Sequence, residues 1–214
     1  MKRRDFSAAL ACTAALAPAT SRAQGEPAEG RNYVRLSQPV PVSAAAGKIE
    51  VIDFFWYGCP HCSAFEPELA AWAKRLPEHV AFSRVPVAFR AEPFTTHQRI
   101  FYALDALGLV EAMHRKVFYA VHVERLALDK PAEIASYMAK HGVDAEKFTE
   151  AFNSFTTQSK IKRANSLVDR LCQSDRGGRV KGTCHPADAH HHSIRAVVKQ
   201  DHGFLSASTL GPGR

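Results

Sequence analysis

The chain has 214 residues, of which 46% are hydrophobic, and it carries a formal net charge of +7. That length suits one large domain or two small ones, and it is sufficient for a substantial core. The charge is unevenly divided, because residues 1–23 carry +3, residues 24–169 carry 0 and residues 170–214 carry +4. A neutral central region removes the main argument for nucleic-acid binding, which a basic chain would otherwise suggest.

The first residues have the pattern of a secretory signal peptide. Three basic residues at positions 2–4 precede an apolar stretch at residues 6–17, and the small-x-small sequence at 21–23 offers a cleavage site before Gln24. The apolar stretch is too short to span a bilayer, so a retained anchor is not expected. We therefore expect the mature chain to be exported to an oxidising compartment, in which disulfides persist.

Two strands joined by a helix are predicted after this leader. Residues 48–55 form the best strand because they are almost continuously apolar, and residues 81–87 form a second core strand. The helix between them begins at Cys59, and Pro77 ends it. Its apolar face is predicted at Phe65, Leu69, Trp72 and Leu76. A connecting helix makes the two strands parallel, which predicts a β-α-β unit. Residues 32–42 are a weaker edge-strand candidate because prolines interrupt them.

Cys59, Pro60, His61 and Cys62 form a C-x-x-C motif where the first strand passes the chain to the helix. Such a motif at this junction favours a redox dithiol. Backbone N–H groups at the helix start favour a thiolate, which makes Cys59 the expected nucleophile and Cys62 the resolving thiol. Half of a zinc site is a weaker interpretation, because it needs a second ligand pair at metal spacing. A structural disulfide is also weaker, because so short a loop restrains the unfolded chain little.

Three neighbours of the cysteines are candidate tuning residues. Pro60 suits an early helix position and stiffens the loop. His61 could donate a hydrogen bond or a positive charge to the Cys59 sulfur, or it could be a plain exposed residue. Asp53, six residues before Cys59, is either a buried proton acceptor that helps to deprotonate Cys62 or an outward-facing residue paired with a lysine. Both interpretations of Asp53 stay open at this point.

Residues 94–169 have a helical period throughout. Gly108 and Gly142 punctuate the pattern, and Asp129 and Asp144 are plausible N-caps. The apolar stripes indicate packing faces, and we assign them no cofactor and no metal. The predicted organisation is a signal peptide at 1–23, the first part of an α/β domain at 24–93, a helical insertion at 94–155, a returning helix at 156–169 and an atypical tail at 170–214.

The periodic pattern stops after Asp169. A reading-frame change near that residue would explain the abrupt loss, and the alternative is a metal-binding tail. The tail's candidate ligands are Cys172, Cys184, His185, His190, His191 and His192. Whether Cys172 and Cys184 pair with each other or with Cys62 stays open. No β-hairpin is legible here, so we expect an open sheet edge beside the strand at 48–55.

The sequence Phe-Phe-Trp-Tyr-Gly-Cys-Pro-His-Cys at 54–62, with Asp53 before it and Phe-Glu-Pro at 65–67 after it, closely resembles the DsbA family of thiol:disulfide oxidoreductases. The dipeptide Pro-His between the cysteines makes the match specific, and the resemblance covers about residues 33–169. It implies a thioredoxin-like α/β fold with an inserted helical domain. It also implies Cys59 as the attacking thiol, Cys62 as its buried partner and Asp53 in a buried acidic position.

The expected function is therefore the introduction of disulfide bonds into newly exported polypeptides with free cysteines, by a monomeric enzyme. The resemblance further implies a membrane protein that reoxidises the dithiol. It also implies a cis-proline loop facing the dithiol, and no such loop is recognisable around Pro186. The alternatives are a disulfide reductase or isomerase, and an inactive truncated relative with a metal-binding tail.

Overall fold

The computed structural model describes residues 43–88, 92–174, 194–198 and 205–206, together with Glu29, Leu36 and Val40. Only the backbone is described at 172–174, 194–198 and 205–206. The elements in chain order are β1 (Ile49–Phe55), α1 (Pro60–Ala73), β2 (Val80–Pro86), α2 (Phe94–Ala106), α3 (Val110–His122), α4 (Pro131–Lys140), α5 (Ala145–Asn153), α6 (Phe155–Ser174), β3 (Ile194–Val198) and β4 (Leu205–Ser206). No helix in this described part of the chain is long and apolar enough to cross a membrane.

The four strands form one sheet in the order β2-β1-β3-β4. β1 and β2 are parallel, with Asp53 opposite Arg84, and α1 connects them. This arrangement confirms the predicted β-α-β unit. β3 lies antiparallel on the other side of β1, and β4 pairs antiparallel with β3. β1 is therefore a central strand, which explains why its sequence is almost continuously apolar rather than alternating.

The strand pair β3-β4 corrects the expectation of an open edge beside β1. Five residues of β3 pair with β1, from Ile194 opposite Phe54 to Val198 opposite Glu50. A five-residue strand is too short to give a periodic signal of its own, and glycines and histidines surround this one in the sequence. Its place is decided by the backbone N–H and C=O groups along the edge of β1, which need partners.

The two faces of β1 pack against different helices. Phe55 and Cys62 belong to the larger core cluster, which includes α2, α3 and α4. Ile52 and Phe54 belong to a smaller cluster on the opposite face, against which Leu167 and Leu171 of α6 pack. The sheet is thus covered by the helical insertion on one face and by the returning helix α6 on the other, as the alternation of side chains along a strand requires.

The helix boundaries confirm some predicted signals and correct others. Asp144 caps α5, since its carboxylate accepts the backbone N–H groups of Glu146 and Lys147. Gly142 follows α4 with φ of +79°, a conformation that glycine adopts without a Cβ penalty. The prediction of Asp129 as an N-cap is wrong, because α4 is preceded by Lys130 and has no side-chain cap.

The apolar face predicted for α1 is confirmed at Leu69 and is wrong at Trp72 and Leu76. The residues that α1 buries are Cys62, Glu66 and Leu69, whereas Trp72 is 39% exposed. The helix ends at Ala73, so Leu76 lies beyond it. Spacings of three and four fit more than one face of a helix, and the buried polar partners of Glu66 decide which face turns inward.

We expect Phe101→Ala to lower the free energy of unfolding by about 3–5 kcal/mol, because a buried phenylalanine leaves both apolar burial and a cavity behind. Phe101 is 5% exposed, and its ring lies 5.2 Å from that of Phe55, so it joins the insertion to the sheet. Urea unfolding followed by circular dichroism measures the change. The control is Phe155→Ala at a residue 82% exposed, where we expect about 0.5 kcal/mol or less. Equal losses in both variants would contradict this account of the core.

Candidate active site

Cys59 is the N-cap residue of α1. Its backbone is extended, with φ of −83° and ψ of 115°, and Pro60 occupies the first helical turn. The backbone N–H of Cys62 donates a hydrogen bond to the Cys59 Sγ, with an N–S distance of 3.3 Å. An N-cap side chain normally offers an oxygen to these N–H groups. Here a sulfur has that position, so the helix start is a ready-made site for a thiolate.

The pKa of Cys59 is lowered from 9.0 to about 7. The largest cause is the hydrogen bond from the side chain of Cys62, and burial opposes it. The backbone N–H groups of Cys62 and His61 add to the lowering, whereas the nearby charge of Asp53 raises the pKa. Hydrogen bonds to the charged form therefore outweigh desolvation. The side chains of Cys59 and Cys62 are both buried.

His61 and Asp53 occupy contrasting places around this sulfur. The side chain of His61 is exposed, and His61 lowers the Cys59 pKa through its backbone N–H. Asp53 is 4% exposed in the centre of β1, which excludes the outward-facing interpretation. It lies opposite Arg84 on β2 and Arg195 on β3. A buried carboxylate beneath the dithiol is thus in place, and its role as a proton acceptor stays a prediction.

The loop before Cys59 is shaped by a tryptophan. The indole of Trp56 stacks on the ring of Phe94 with 4.1 Å between centroids. It also covers Gly58 so closely that an added Cβ there would lie 2.3 Å from Trp56 Cζ2. Only glycine fits under the indole, because any Cβ at position 58 would lie much closer to the ring than the van der Waals contact distance. This packing fixes the path of the chain into Cys59.

Helix α3 holds the same loop through Tyr57. The Nε2 of His122 lies 2.8 Å from the Tyr57 carbonyl oxygen, and because a carbonyl only accepts, that nitrogen carries the proton. The Tyr57 hydroxyl contacts His114 Nδ1 at 2.9 Å. The ring of Phe118 lies 5.0 Å from the Tyr57 ring. Positions 114, 118 and 122 share one face of α3, and we call these three residues the α3 clamp.

A buried polar network continues from the α3 clamp to β2. The Nη2 of Arg84 donates to Glu66 Oε1 at 2.7 Å, and His114 Nε2 lies 3.4 Å from Glu66 Oε2. Burial raises the pKa of Glu66, but the hydrogen bond from His114 and the charge of Arg84 outweigh it, so that this pKa is lowered overall. Burial lowers the pKa of His114 and raises that of Tyr57. A neutral His114 therefore accepts the Tyr57 O–H at Nδ1 and directs its Nε2–H to Glu66.

Sequence reasoning missed most of this network. In the sequence, Glu66 stands out only as part of the Phe-Glu-Pro segment at 65–67. Its position three residues before Leu69 nevertheless places it on the buried face of α1. No local pattern identifies Arg84, His114 or His122. Their partners are 18 residues away for Arg84 and 48 or more away for the two histidines.

A parallel β-α-β unit with a C-x-x-C motif at the helix start, covered by an inserted helical domain, defines a thioredoxin-like thiol:disulfide oxidoreductase. Comparison with known families and proteins supports and narrows this assignment. Residues 50–171 match the DSBA-like thioredoxin domain. The chain belongs to this family, and it is an enzyme of the thiol:disulfide oxidoreductase class.

Individual relatives agree with the family match. The thiol:disulfide interchange protein DsbA of Burkholderia cepacia is 44% identical over 159 residues, which cover 74% of this chain and 73% of that protein. DsbA of Azotobacter vinelandii is 41% identical over 171 residues, covering 78% of this chain and 79% of that protein. The crystal structure of Pseudomonas aeruginosa DsbA superposes with a TM-score of 0.66 at 38% identity, covering 78% of each chain.

We expect Gly58→Ala to displace the Trp56 indole from Phe94 and to lower the melting temperature, because the added Cβ collides with the ring. Near-ultraviolet circular dichroism of the tryptophans measures the displacement. Gly142→Ala is the matched control: its φ of +79° is strained for alanine, but an added Cβ meets no atom within 4 Å. That variant should lose stability and keep the tryptophan signal. An unchanged signal in Gly58→Ala would show that the indole does not fix the loop.

We also expect His122→Ala to slow alkylation of Cys59 at pH about 6, since a released Tyr57 carbonyl loosens the loop and reduces occupancy of the N-cap geometry. Loss of a buried hydrogen bond typically costs about 1–3 kcal/mol of stability as well. His141→Ala serves as a control. The Nδ1 of His141 lies 2.9 Å from the Tyr137 carbonyl oxygen, and this contact is not part of the dithiol site. Equal slowing of alkylation in both variants would show that the α3 clamp does not position Cys59.

Proposed function

We propose that this protein introduces disulfide bonds into exported polypeptides through a Cys59–Cys62 disulfide. The observation that carries the proposal is the Cys59 sulfur at the N-cap of α1, where backbone and side-chain donors lower its pKa to about 7. The family supports the direction of the reaction, because its named members are thiol:disulfide interchange proteins.

The reaction transfers two electrons and two protons from a substrate dithiol to the enzyme. A substrate thiolate attacks the Cys59 sulfur of the enzyme disulfide, so that a mixed disulfide forms and Cys62 leaves as a thiolate. The second substrate thiolate then attacks the substrate sulfur of that mixed disulfide. Cys59 leaves as a thiolate, and the substrate departs with its new disulfide.

The N-cap geometry favours this direction. A lower pKa makes Cys59 a better leaving group, and it stabilises the reduced enzyme relative to the disulfide. Each pKa unit of thiolate stabilisation is worth about 1.4 kcal/mol, or roughly 30 mV for a two-electron couple. The oxidised enzyme is therefore an electron acceptor.

Asp53 is proposed to receive the proton that Cys62 must lose when the enzyme is reoxidised. A buried carboxylate in the strand below the dithiol is suited to that role, because its oxygens can accept a proton close to the reacting sulfurs. Asp53→Asn should lower the Cys59 pKa, since the charge of Asp53 raises it, and should slow reoxidation. A lower Cys59 pKa favours oxidation of the substrate, whereas slower reoxidation reduces turnover. Because these two effects on activity are opposed, they separate proton transfer from a simple loss of charge.

The compartment and partners follow from the family and the leader. We propose that residues 1–23 direct export to the periplasm, that the substrates are unfolded polypeptides with free cysteines, and that a membrane protein reoxidises the dithiol. The enzyme is proposed to act as a monomer without a cofactor. Pro186 and the candidate metal ligands of the tail lie outside the residues whose side chains are described.

A disulfide reductase is the second candidate, because a lowered cysteine pKa does not by itself distinguish the two functions. A pKa of about 7 resembles that of thioredoxin, whereas DsbA itself has a value of about 3.5. Equilibration with glutathione buffers separates the two functions. A potential near −120 mV, to within about 30 mV, would support the oxidase, and one near about −270 mV would assign the reductase.

We expect ultraviolet thiolate absorbance of the reduced protein to titrate at pH about 7 and to disappear in Cys59→Ser. Cys62→Ala should move the midpoint of this titration to higher pH, because the side-chain hydrogen bond of Cys62 is the largest cause of the lowered Cys59 pKa. Cys62→Ser keeps a donor at that position and should raise it less. An identical transition in the alanine and serine variants would contradict this assignment of the cause.

The same pKa predicts how the stability of the reduced protein depends on pH. Because folding lowers the Cys59 pKa, its contribution is complete above the unfolded value of about 9 and is lost as the pH falls through about 7. The melting temperature of reduced wild type, relative to Cys59→Ser, should therefore rise between pH 7 and pH 9. A constant difference across that interval would show that the thiolate is not stabilised in the folded state.

A further inference from the structure

A small cavity lies between α2, α4 and α5, in the helical insertion rather than beside the dithiol. Its volume is about 130 Å³, and it opens to the surface on one side. Ile134, Phe148 and Phe152 form apolar walls, and all three are buried. An engineered, closed apolar cavity of about 150 Å³ is known to bind benzene. This cavity is slightly smaller but open to the surface, so a ring-sized group can enter it without being fully enclosed.

Arg99 of α2 supplies a positive charge at this cavity. Its guanidinium carbon lies 5.7 Å from the centroid of the Phe152 ring. Its Nε is buried and has no hydrogen-bond acceptor among the described residues. The cation Arg84 differs, because Glu66 accepts its hydrogen bonds. Because Nε is closed to solvent, a ligand in the cavity can reach Arg99 only at its terminal Nη groups, where a carboxylate accepts charge-assisted hydrogen bonds.

The donors of the two other polar side chains at the cavity are used within α5. Thr149 donates its hydroxyl to the Ala145 carbonyl, and the Asn153 amide donates to the Thr149 carbonyl. The helix ends nearly cancel, since Pro131 brings the positive end of α4 to the cavity and Asn153 brings the negative end of α5. One permanent charge therefore dominates, which suits a monoanion better than a phosphate dianion.

We propose that this cavity binds a monocarboxylate that carries a ring-sized apolar group. Arg99 holds the carboxylate in a charge-assisted, two-point hydrogen bond, and the walls around Phe148 enclose the ring. This chemistry occurs in free aromatic acids and in the C-terminal residue of a peptide. The site is independent of the dithiol, so its occupancy requires no change in the redox function.

Phenylacetate is a suitable probe, because it has one carboxylate and one ring. We expect saturable chemical-shift changes on titration of the wild-type protein, with a Kd of about 1 mM or tighter. The neutral analogue phenylacetamide should bind at least about tenfold more weakly, since it cannot form the charge-assisted pair. N-acetylphenylalanine tests the second source: binding as tight as that of phenylacetate indicates a peptide end, and weaker binding indicates a free aromatic acid.

Two variants test the site, and a third is the control. Arg99→Gln removes the charge and should weaken the affinity for phenylacetate by at least about tenfold. Ala135→Leu fills the cavity from the α4 side with a good helix former and should abolish binding. Arg163→Gln, at an exposed position on α6, should bind as wild type does. Melting temperatures establish that each variant is folded.

Three results would overturn the proposal. The first is equal affinity of folded Arg99→Gln and wild type for phenylacetate. The second is equal affinity of the wild-type protein for phenylacetate and phenylacetamide. The third is the absence of any saturable shift in wild type up to about ten times the expected Kd.

Discussion

The chemistry proposed for this protein depends on the hydrogen bonds to the Cys59 sulfur, which come from the Cys62 side chain and from the backbone N–H groups at the start of α1. At α5 the same kind of helix start is capped by the Asp144 carboxylate, which accepts two N–H groups. At α1 the acceptor is the sulfur of Cys59. A charge on that sulfur completes the cap, so the helix start stabilises the thiolate. The redox role proposed for Cys59 thus rests on the ordinary need of a helix to satisfy its first donors.

The inserted helices make this local arrangement stable. α3 contacts the loop before Cys59 at both the carbonyl and the hydroxyl of Tyr57, through His122 and His114. The network of Glu66 and Arg84 then joins α3 to α1 and β2. Buried charges are tolerated here because each has a partner, and removing one partner would leave the other buried and uncompensated. The insertion is therefore a structural support of the dithiol as well as a cover for the sheet.

Features whose signals lie close together in the sequence were predicted, and features that depend on contacts between distant residues were not. The dithiol, its helix and the parallel strands were predicted, because the signals lie within about twenty residues. The N-cap of α5 was predicted for the same reason, whereas Asp129 was not the cap of α4. The inward face of α1 was misjudged, since Glu66 is buried only because Arg84 and His114 meet it there. β3 was missed, because its five residues are defined by pairing with β1.

The sequence alone determined the redox motif, the central strand and the helical nature of residues 94–169, because hydrophobic period and the helix-start position of Cys59 are local properties of the chain. The tertiary structure decided three other features: the burial of Asp53, the hold of α3 on Tyr57, and the cavity beside Arg99. Each of these depends on contacts between elements distant in sequence. A side chain's charge, solvation and partners are fixed only when those elements pack together.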